Sequence, residues 1–273
     1  MVDSVVDKKA IRKRTPWQIQ RAVVFALVMR ELKTRFGGQW TGVIWLFGVP
    51  LAQLVVFAWI NTVIRGRISR SGYDFVVWLI VAMIPYDVFR TLWSQLMRAP
   101  SSNKGLFNFR QVKPMDTFIA RAVLEIALQA IIFLLIALAL ARVGYAPLVP
   151  QDLLAFLGVV SMFAALGIGM GICSAVLDDI IPRYGVFIGL VTMPLAIVSG
   201  VIFPLTKLPQ SLLYWFLFNP VLHLVELARH AYLPGYVMVQ GVNASYPAAF
   251  ILVVLALAMS MYRVRRRELI ASN

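Results

Sequence analysis

The chain has 273 residues, 60% of them hydrophobic and 14% charged, with a formal net charge of +14. A soluble domain carries about a quarter charged residues, so this composition excludes an ordinary soluble protein. The cations cluster between apolar runs long enough to cross a bilayer, so membrane topology explains them and no nucleic-acid partner is expected.

Residues 1–14 are polar and basic and read as a cytoplasmic tail, not a cleaved signal peptide; the first span is expected to serve as its own insertion signal. Residues 15–36 predict a helix. Thr15, Pro16 and Gln18 form a capping box with proline in the first turn. Its apolar centre, 22–29, is bounded by Arg21 on one side and by Arg30, Glu31, Lys33 and Arg35 on the other. That is too short to span, so the helix is expected in or near the membrane surface, with a buried soluble-type helix as the alternative. Gly37 and Gly38 break it. The first span covers 40–64, with Trp40 and Trp45 near its start and Pro50 inside. The loop RGRISRSGY, 65–73, leads to a second span, 74–97, that carries Arg90. A polar loop, 98–118, is expected to hold short helical segments. The third span, 119–142, turns at Gly144, Pro147 and Pro150 into the fourth, 152–177, and Asp178, Asp179 and Arg183 mark the turn to a fifth that ends near Val201. Residues 204–242 are half polar and hold four prolines. Two short apolar helices there, KLPQSLLYWFLF and a second begun by Asn219 and Pro220, read as a re-entrant hairpin. The sixth span, 246–262, precedes a tail from 264 to 273. The expected fold is therefore an all-α membrane protein with six transmembrane helices, forming one domain over 37–263.

With both termini inside, 19 lysines and arginines lie on the cytoplasmic side and six outside, which favours that orientation. Arg65, Arg67 and Arg70 run against the trend. The sequence has no G-x-x-x-x-G-K-[ST] phosphate loop, no HExxH and no GxSxG. The single cysteine, Cys173, permits neither an intrachain disulfide nor a cysteine metal cluster. Glu125 one turn after Arg121 predicts an i,i+4 ion pair. Arg90 lies deep in its span, where a bare charge is costly; either it meets an anionic substrate in a polar cavity or it pairs with Asp87 one turn earlier. Gly167 and Gly171 form a GxxxG pair suited to close helix packing. Asn243 and Ser245 match a glycosylation sequon, a cheap match. The 98–118 loop is either an ordinary positive-inside loop or a knob that docks into a partner.

Three segments, RELKTRFGGQWTGVIWLFGVPLAQLVVF, LFNFRQVKPMDTFIARAVLE and NPVLHLVELARHAYLPGY, together resemble the membrane subunit of capsular-polysaccharide ABC exporters, the KpsM-type permeases. The broader group includes O-antigen and teichoic-acid export permeases. The resemblance spans nearly the whole chain and implies a homodimer of six-span subunits in the bacterial inner membrane. Each dimer would pair with two separate ATPase subunits that hold ATP and Mg, this chain binding no cofactor of its own. The helix 15–36 and the loop helix 98–113 would meet the ATPases through Arg30, Glu31, Lys33, Arg35, Lys104, Phe107, Phe109 and Arg110. The hairpin 204–242, with Tyr214, Trp215, His223, Glu226, Arg229 and His230, would gate the periplasmic side. A lipid-linked anionic polysaccharide would pass through a canal at the dimer interface toward a periplasmic adaptor and an outer-membrane channel. Arg90, Arg65, Arg67 and Arg70 would attract the acidic glycan. Trp59, Tyr86 and Trp93 would stack on sugars or, alternatively, anchor and pack the spans. Another cargo (O-antigen, teichoic acid or a drug) and a membrane-embedded lipid-linked glycosyltransferase are the competing readings.

His223 and His230 are the only histidines, seven residues apart, and a metal would need two further ligands from elsewhere. At 100° per residue, His223, Glu226 and His230 share one face of a helix begun at Pro220. The expectation is an amphipathic helix whose apolar side meets the bundle and whose polar side faces the periplasm, the exit path or the dimer mate. Leu233, Pro234, Gly235 and Tyr236 would end it.

Overall fold

A computed structural model of the chain describes residues 15–36, 74–109, 111–143, 149–181, 183–205 and 209–271, together with residues 48, 49, 51–53, 55, 56 and 59. The described chain is helical. In order the helices are α1 (Pro16–Phe36), α2 (Phe75–Met97), a 3-10 segment (Ser101–Leu106), α3 (Pro114–Val143), α4 (Leu153–Ile180), α5 (Tyr184–Val198), α6 (Gln210–Phe216), α7 (Pro220–Tyr232), α8 (Ser245–Arg265) and α9 (Glu268–Ala271).

Helix α2 is the hub. It is apolar on nearly all sides, which in a bundle means that it is enclosed on all sides. It packs against α3, α4, α5 and α7, and α4 in turn packs against α8. The α2–α4 seam is close because α4 presents glycines to it. A Cβ on Gly167 would lie 2.7 Å from the Phe89 carbonyl oxygen, and one on Gly171 would lie 2.7 Å from the Leu96 Cβ. Gly169 serves the other side of α4, where a Cβ would meet Val254 of α8 at 2.8 Å. The GxxxG pair therefore acts through backbone proximity, which gains dispersion contact where lipid supplies no hydrophobic drive.

Four described helices, α2, α3, α4 and α8, are long and apolar enough to cross a membrane, and α6 with α7, bent by 103° at their junction, makes a fifth if the pair counts as one span. Helix α5, where a fifth span was expected, has 15 residues, short of the roughly 20 that a straight span needs. The expected first span falls almost wholly outside the described residues, apart from helical residues such as Trp59. Helix α3 begins at Pro114, five residues before the expected start at 119. Proline suits the first turn, and the Asp116 carboxylate accepts from the Lys113 amide at 2.9 Å. The predicted caps of α1 and α7 are present. The Thr15 amide donates to Gln18 Oε1 at 3.0 Å, and Asn219 Oδ1 accepts from the Val221 amide at 3.0 Å.

Candidate functional site

Two polar clusters lie at opposite ends of α2. The first joins α1, the 3-10 segment and α3. Glu31 of α1 is buried, and its Oε1 accepts from Arg121 Nη2 of α3 at 2.6 Å and from Asn103 Nδ2 of the 3-10 segment at 3.2 Å. Asn103 also accepts from Arg30 Nη1 at 2.8 Å and donates to the Ala99 carbonyl at 2.8 Å. Arg121 Nη1 donates to the Gln95 carbonyl near the end of α2 at 3.2 Å. One turn along, Arg35 of α1 pairs with the buried Glu125 of α3. At the start of both helices Gln20 Nε2 donates to Asp116 Oδ1. The successive ties 20–116, 31–121 and 35–125 mean that α1 runs alongside the first part of α3 in the same sense.

These contacts correct the expected Arg121–Glu125 pair. Each residue instead meets the opposite charge on α1. Both pairings would give every charge a partner, and packing decides between them: Glu31 faces Arg121 across the α1–α3 contact, and Arg35 faces Glu125. The structure also separates the residues expected at a partner contact. Arg30, Glu31 and Arg35 bond inward, and Phe107 is 8% exposed, while Lys33, Lys104 and Phe109 face outward, Phe109 at 64%. Arg110 lies outside the described residues. Among the described residues of the loop 98–118, the expected short helical segments are represented by the 3-10 segment Ser101–Leu106.

The second cluster is built on α7. Arg229 is fully buried. Its Nη1 donates to Glu226 Oε1 at 3.2 Å, and its Nη2 donates to the carbonyls of Gly200 and Val201 at 2.8 and 3.1 Å. Its guanidinium carbon lies 3.4 Å from the ring centroid of Trp78 on α2, a cation–π contact. Glu226 also accepts from the Tyr236 hydroxyl at 3.1 Å and the Val239 amide at 3.2 Å. Burial, with the Glu226 carboxylate beside it, pushes the Tyr236 hydroxyl up to about 12, so it remains a neutral donor at neutral pH. His223 Nδ1 accepts from the Asn243 amide at 3.1 Å, which assigns the ring proton to Nε2, the donor to the Leu217 carbonyl at 2.8 Å. His230 is exposed and donates from Nδ1 to the Tyr236 carbonyl at 3.0 Å.

The polar face of α7 therefore does not look outward as expected. His223, Glu226 and Arg229 are buried, and of the face only His230 is exposed. The physical reason lies in the backbone around it. The carbonyls of Gly200 and Val201 follow the end of α5, and the amide of Val239 sits in the loop after α7. None has a helical partner there, and the charged pair supplies the missing donors and acceptor. Gly200 takes φ +72 and Gly235 φ +70, which glycine adopts without strain. The C-terminus of α7 is held as well: the Gln151 and Asp152 amides donate to the Tyr232 and Ala231 carbonyls at 3.2 and 2.9 Å. Helix α6 differs, with no buried residue. Tyr214 and Trp215 are 61% and 69% exposed, with ring centroids 5.9 Å apart. The sequon residue Asn243 accepts from the Tyr246 amide at 2.9 Å, at the start of α8.

Between the clusters, α2 carries a polar stripe at helical spacing: Asp87, Arg90, Thr91 and Ser94. Arg90 Nη2 lies 2.9 Å from Asp87 Oδ1, with 35% of the arginine side chain exposed. The pairing reading of Arg90 thus holds, on a side chain that is partly exposed. Gln129 Nε2 of α3 donates to Thr91 Oγ1 at 3.1 Å. Tyr86 and Trp93 are buried in the core. The Tyr86 hydroxyl donates to the Thr192 carbonyl and Trp93 Nε1 donates to Ser174 Oγ at 2.7 Å, so they pack the spans. Trp59 is exposed. Arg65, Arg67 and Arg70 lie outside the described residues.

Sequence reasoning missed Asn103, Arg121, Trp78 and Tyr236 as site residues. A signal for Arg121 was present: α1 carries Glu31 and Arg35 four apart, and α3 carries Arg121 and Glu125 at the same spacing with the charges reversed. Nothing in the pattern marked Trp78.

Residues 22–233 match the family described as ABC-2 type transporter. The polysialic acid transport protein KpsM of Escherichia coli is 33% identical over 262 residues, covering 95% of this chain and 99% of that protein. The capsule polysaccharide export inner-membrane protein CtrC of Neisseria meningitidis serogroup B is 31% identical over 229 residues, covering 82% of this chain and 85% of that one. BexB of Haemophilus influenzae, also described as a capsule polysaccharide export inner-membrane protein, is 28% identical over 217 residues, covering 78% and 80%.

Proposed function

The chain belongs to the ABC-2 type transporter family, and from that premise we propose that it is the transmembrane subunit of an exporter that moves a lipid-linked anionic capsular polysaccharide across the bacterial inner membrane. The observation that carries this reading is similarity along nearly the full length of a polysialic acid transport protein. Polysialic acid carries a carboxylate on each sugar, so the cargo chemistry is anionic. Two copies of the chain form the pathway, and two separate ATPase subunits hold ATP and Mg and supply the energy. The absence of a phosphate loop from the sequence supports that division. Both termini face the cytoplasm, as the 19 to six distribution of cations favours.

In this reading the ATPases press on the cytoplasmic end through Lys33, Lys104 and Phe109. The motion passes along α3 and α2. The glycan moves past the α2 stripe, where the Arg90 side chain is one-third exposed beside Asp87 and meets sugar carboxylates. At the periplasmic end α6 and α7 act as the gate, α7 as the fixed post and α6 with Tyr214 and Trp215 as the part free to part. A periplasmic adaptor and an outer-membrane channel continue the path.

The test is co-purification with the ATPase encoded beside it, followed by ATP hydrolysis in lipid vesicles. The expected result is a stable complex in which this chain raises ATP turnover. A chain that binds no ATPase would end the exporter reading.

A further inference from the structure

We infer that Glu31 and Arg121 are positioning residues that join α1, the 3-10 segment and α3 into one body, an inference that rests on the exporter reading. Four parts of the chain converge on this pair. Glu31 comes from α1, Asn103 from the 3-10 segment, Arg121 from α3, and the Gln95 carbonyl from the end of α2. The shared contacts are Arg121 Nη2 to Glu31 Oε1 at 2.6 Å, Asn103 Nδ2 to the same oxygen at 3.2 Å, and Arg121 Nη1 to the Gln95 carbonyl at 3.2 Å.

One ion pair between two helices acts as a pivot. Here there are three ties, at 20–116, 31–121 and 35–125. They span 15 residues of α1, roughly 22 Å at 1.5 Å per residue. One tie near the start of α1 and two near its end block sliding as well as rotation. Glu31, Arg121 and Glu125 are buried, so parting the helices strips buried charges of their counter-ions together, a change that low-dielectric surroundings oppose strongly. The consequence for coupling is specific. A force on the outward side chains Lys33, Lys104 and Phe109 does not bend α1 away from the bundle. It is delivered to α3 and, through the Gln95 carbonyl, to the end of α2. Arg30, Glu31 and Arg35 then belong to the transmission and not to the ATPase contact.

The inference is tested on the full transporter with its ATPase in lipid vesicles or intact cells. Val24 of α1 and Val123 of α3 line the two walls of the cleft between these helices. In a Cys173→Ser background, Val24→Cys with Val123→Cys is bridged by a flexible bis-maleimide. A single body loses less than twofold of its export when bridged. Loss of export on bridging, with the unbridged protein active, overturns the inference. If the unbridged wild-type complex moves no polysaccharide, the exporter reading itself fails, a result visible before any crosslinker is added. A second arm uses charge. Glu31→Arg and Arg121→Glu alone are expected to keep ATP hydrolysis and lose at least tenfold in export. The double exchange recovers most of that loss, which a residue needed only for folding would not predict. Single variants that export normally at equal membrane levels overturn the inference. Where the single variants fail to accumulate, accumulation and export by the double exchange support it, and failure of both the exchange and the bridged protein overturns it.

Discussion

Arg121 and Arg229 are both buried guanidinium groups paired with a glutamate, and each leaves its Nε without a hydrogen-bond partner among the described residues. They are built in opposite ways. Arg229 takes its glutamate from one turn earlier on its own helix and uses its remaining donors on the carbonyls of Gly200 and Val201. Arg121 takes its glutamate from a helix 90 residues away, and Glu125 beside it takes an arginine from that same helix. The first arrangement completes the backbone around a short helix. The second makes two helices incomplete without each other. Identical side-chain chemistry thus yields a local plug at one end of the bundle and a long-range joint at the other.

The largest expected effect is at the plug. Arg229→Ala leaves Glu226 buried without its cation and two carbonyls without a donor, a loss of about 3–5 kcal/mol, measured by thermal or denaturant unfolding in detergent. Arg229→Lys is expected to recover little of it, because an ammonium lacks the planar fork that reaches Glu226 with one nitrogen and both carbonyls with the other while lying on Trp78. The next test separates the two designs directly. Exchanging the charges of Glu31 and Arg121 preserves a pair and sets a carboxylate against one carbonyl, that of Gln95, whereas exchanging Glu226 and Arg229 sets a fully buried carboxylate against two, those of Gly200 and Val201. Recovery in the second exchange would show that the plug is a simple ion pair and would erase the distinction. At the α2–α4 seam between the two ends, Gly171→Ala forces a Cβ onto Leu96 and is expected to cost about 1–3 kcal/mol by overpacking. Asn219→Ala removes the cap of α7 and costs about 1 kcal/mol; a loss equal to that of Arg229→Ala would mean that the cap and not the plug holds this helix. Arg90→Ala comes last: it leaves the buried Asp87 without its cation, but at a side chain already one-third exposed, so its stability loss is expected to stay below that of Arg229→Ala while export falls. Full export at normal protein levels would remove Arg90 from the pathway.

Much of the architecture was legible because it depends on neighbours within a turn or two. Thr15, Pro16 and Gln18 announced α1, Asn219 and Pro220 announced α7, and the glycines at 167 and 171 announced a close seam. The bend between α6 and α7 followed from apolar segments too short to span singly. The candidate site was less legible. The helical wheel placed His223, Glu226 and His230 on one face but said nothing of which way that face turns. Trp78 and Tyr236 entered the cluster from positions 151 and seven residues away from Arg229, as ordinary members of an apolar run and a turn. Arg30, Glu31 and Arg35 looked like surface charges because a helix with cations at its end ordinarily carries them there.

By itself, the sequence determined the membrane class, the helical bundle and the places where helices start and stop. Composition sets the solvent a chain can occupy, and caps and glycines act on the backbone beside them. The tertiary structure alone decided which charge meets which and whether a polar face is buried. Arg121 has an acceptable partner one turn away, Glu125, and another on α1, Glu31, and sequence spacing favours the nearer. Either pairing would satisfy all four charges, and only the packing of α1 on α3, which sets Glu31 against Arg121 and Arg35 against Glu125, decides between them.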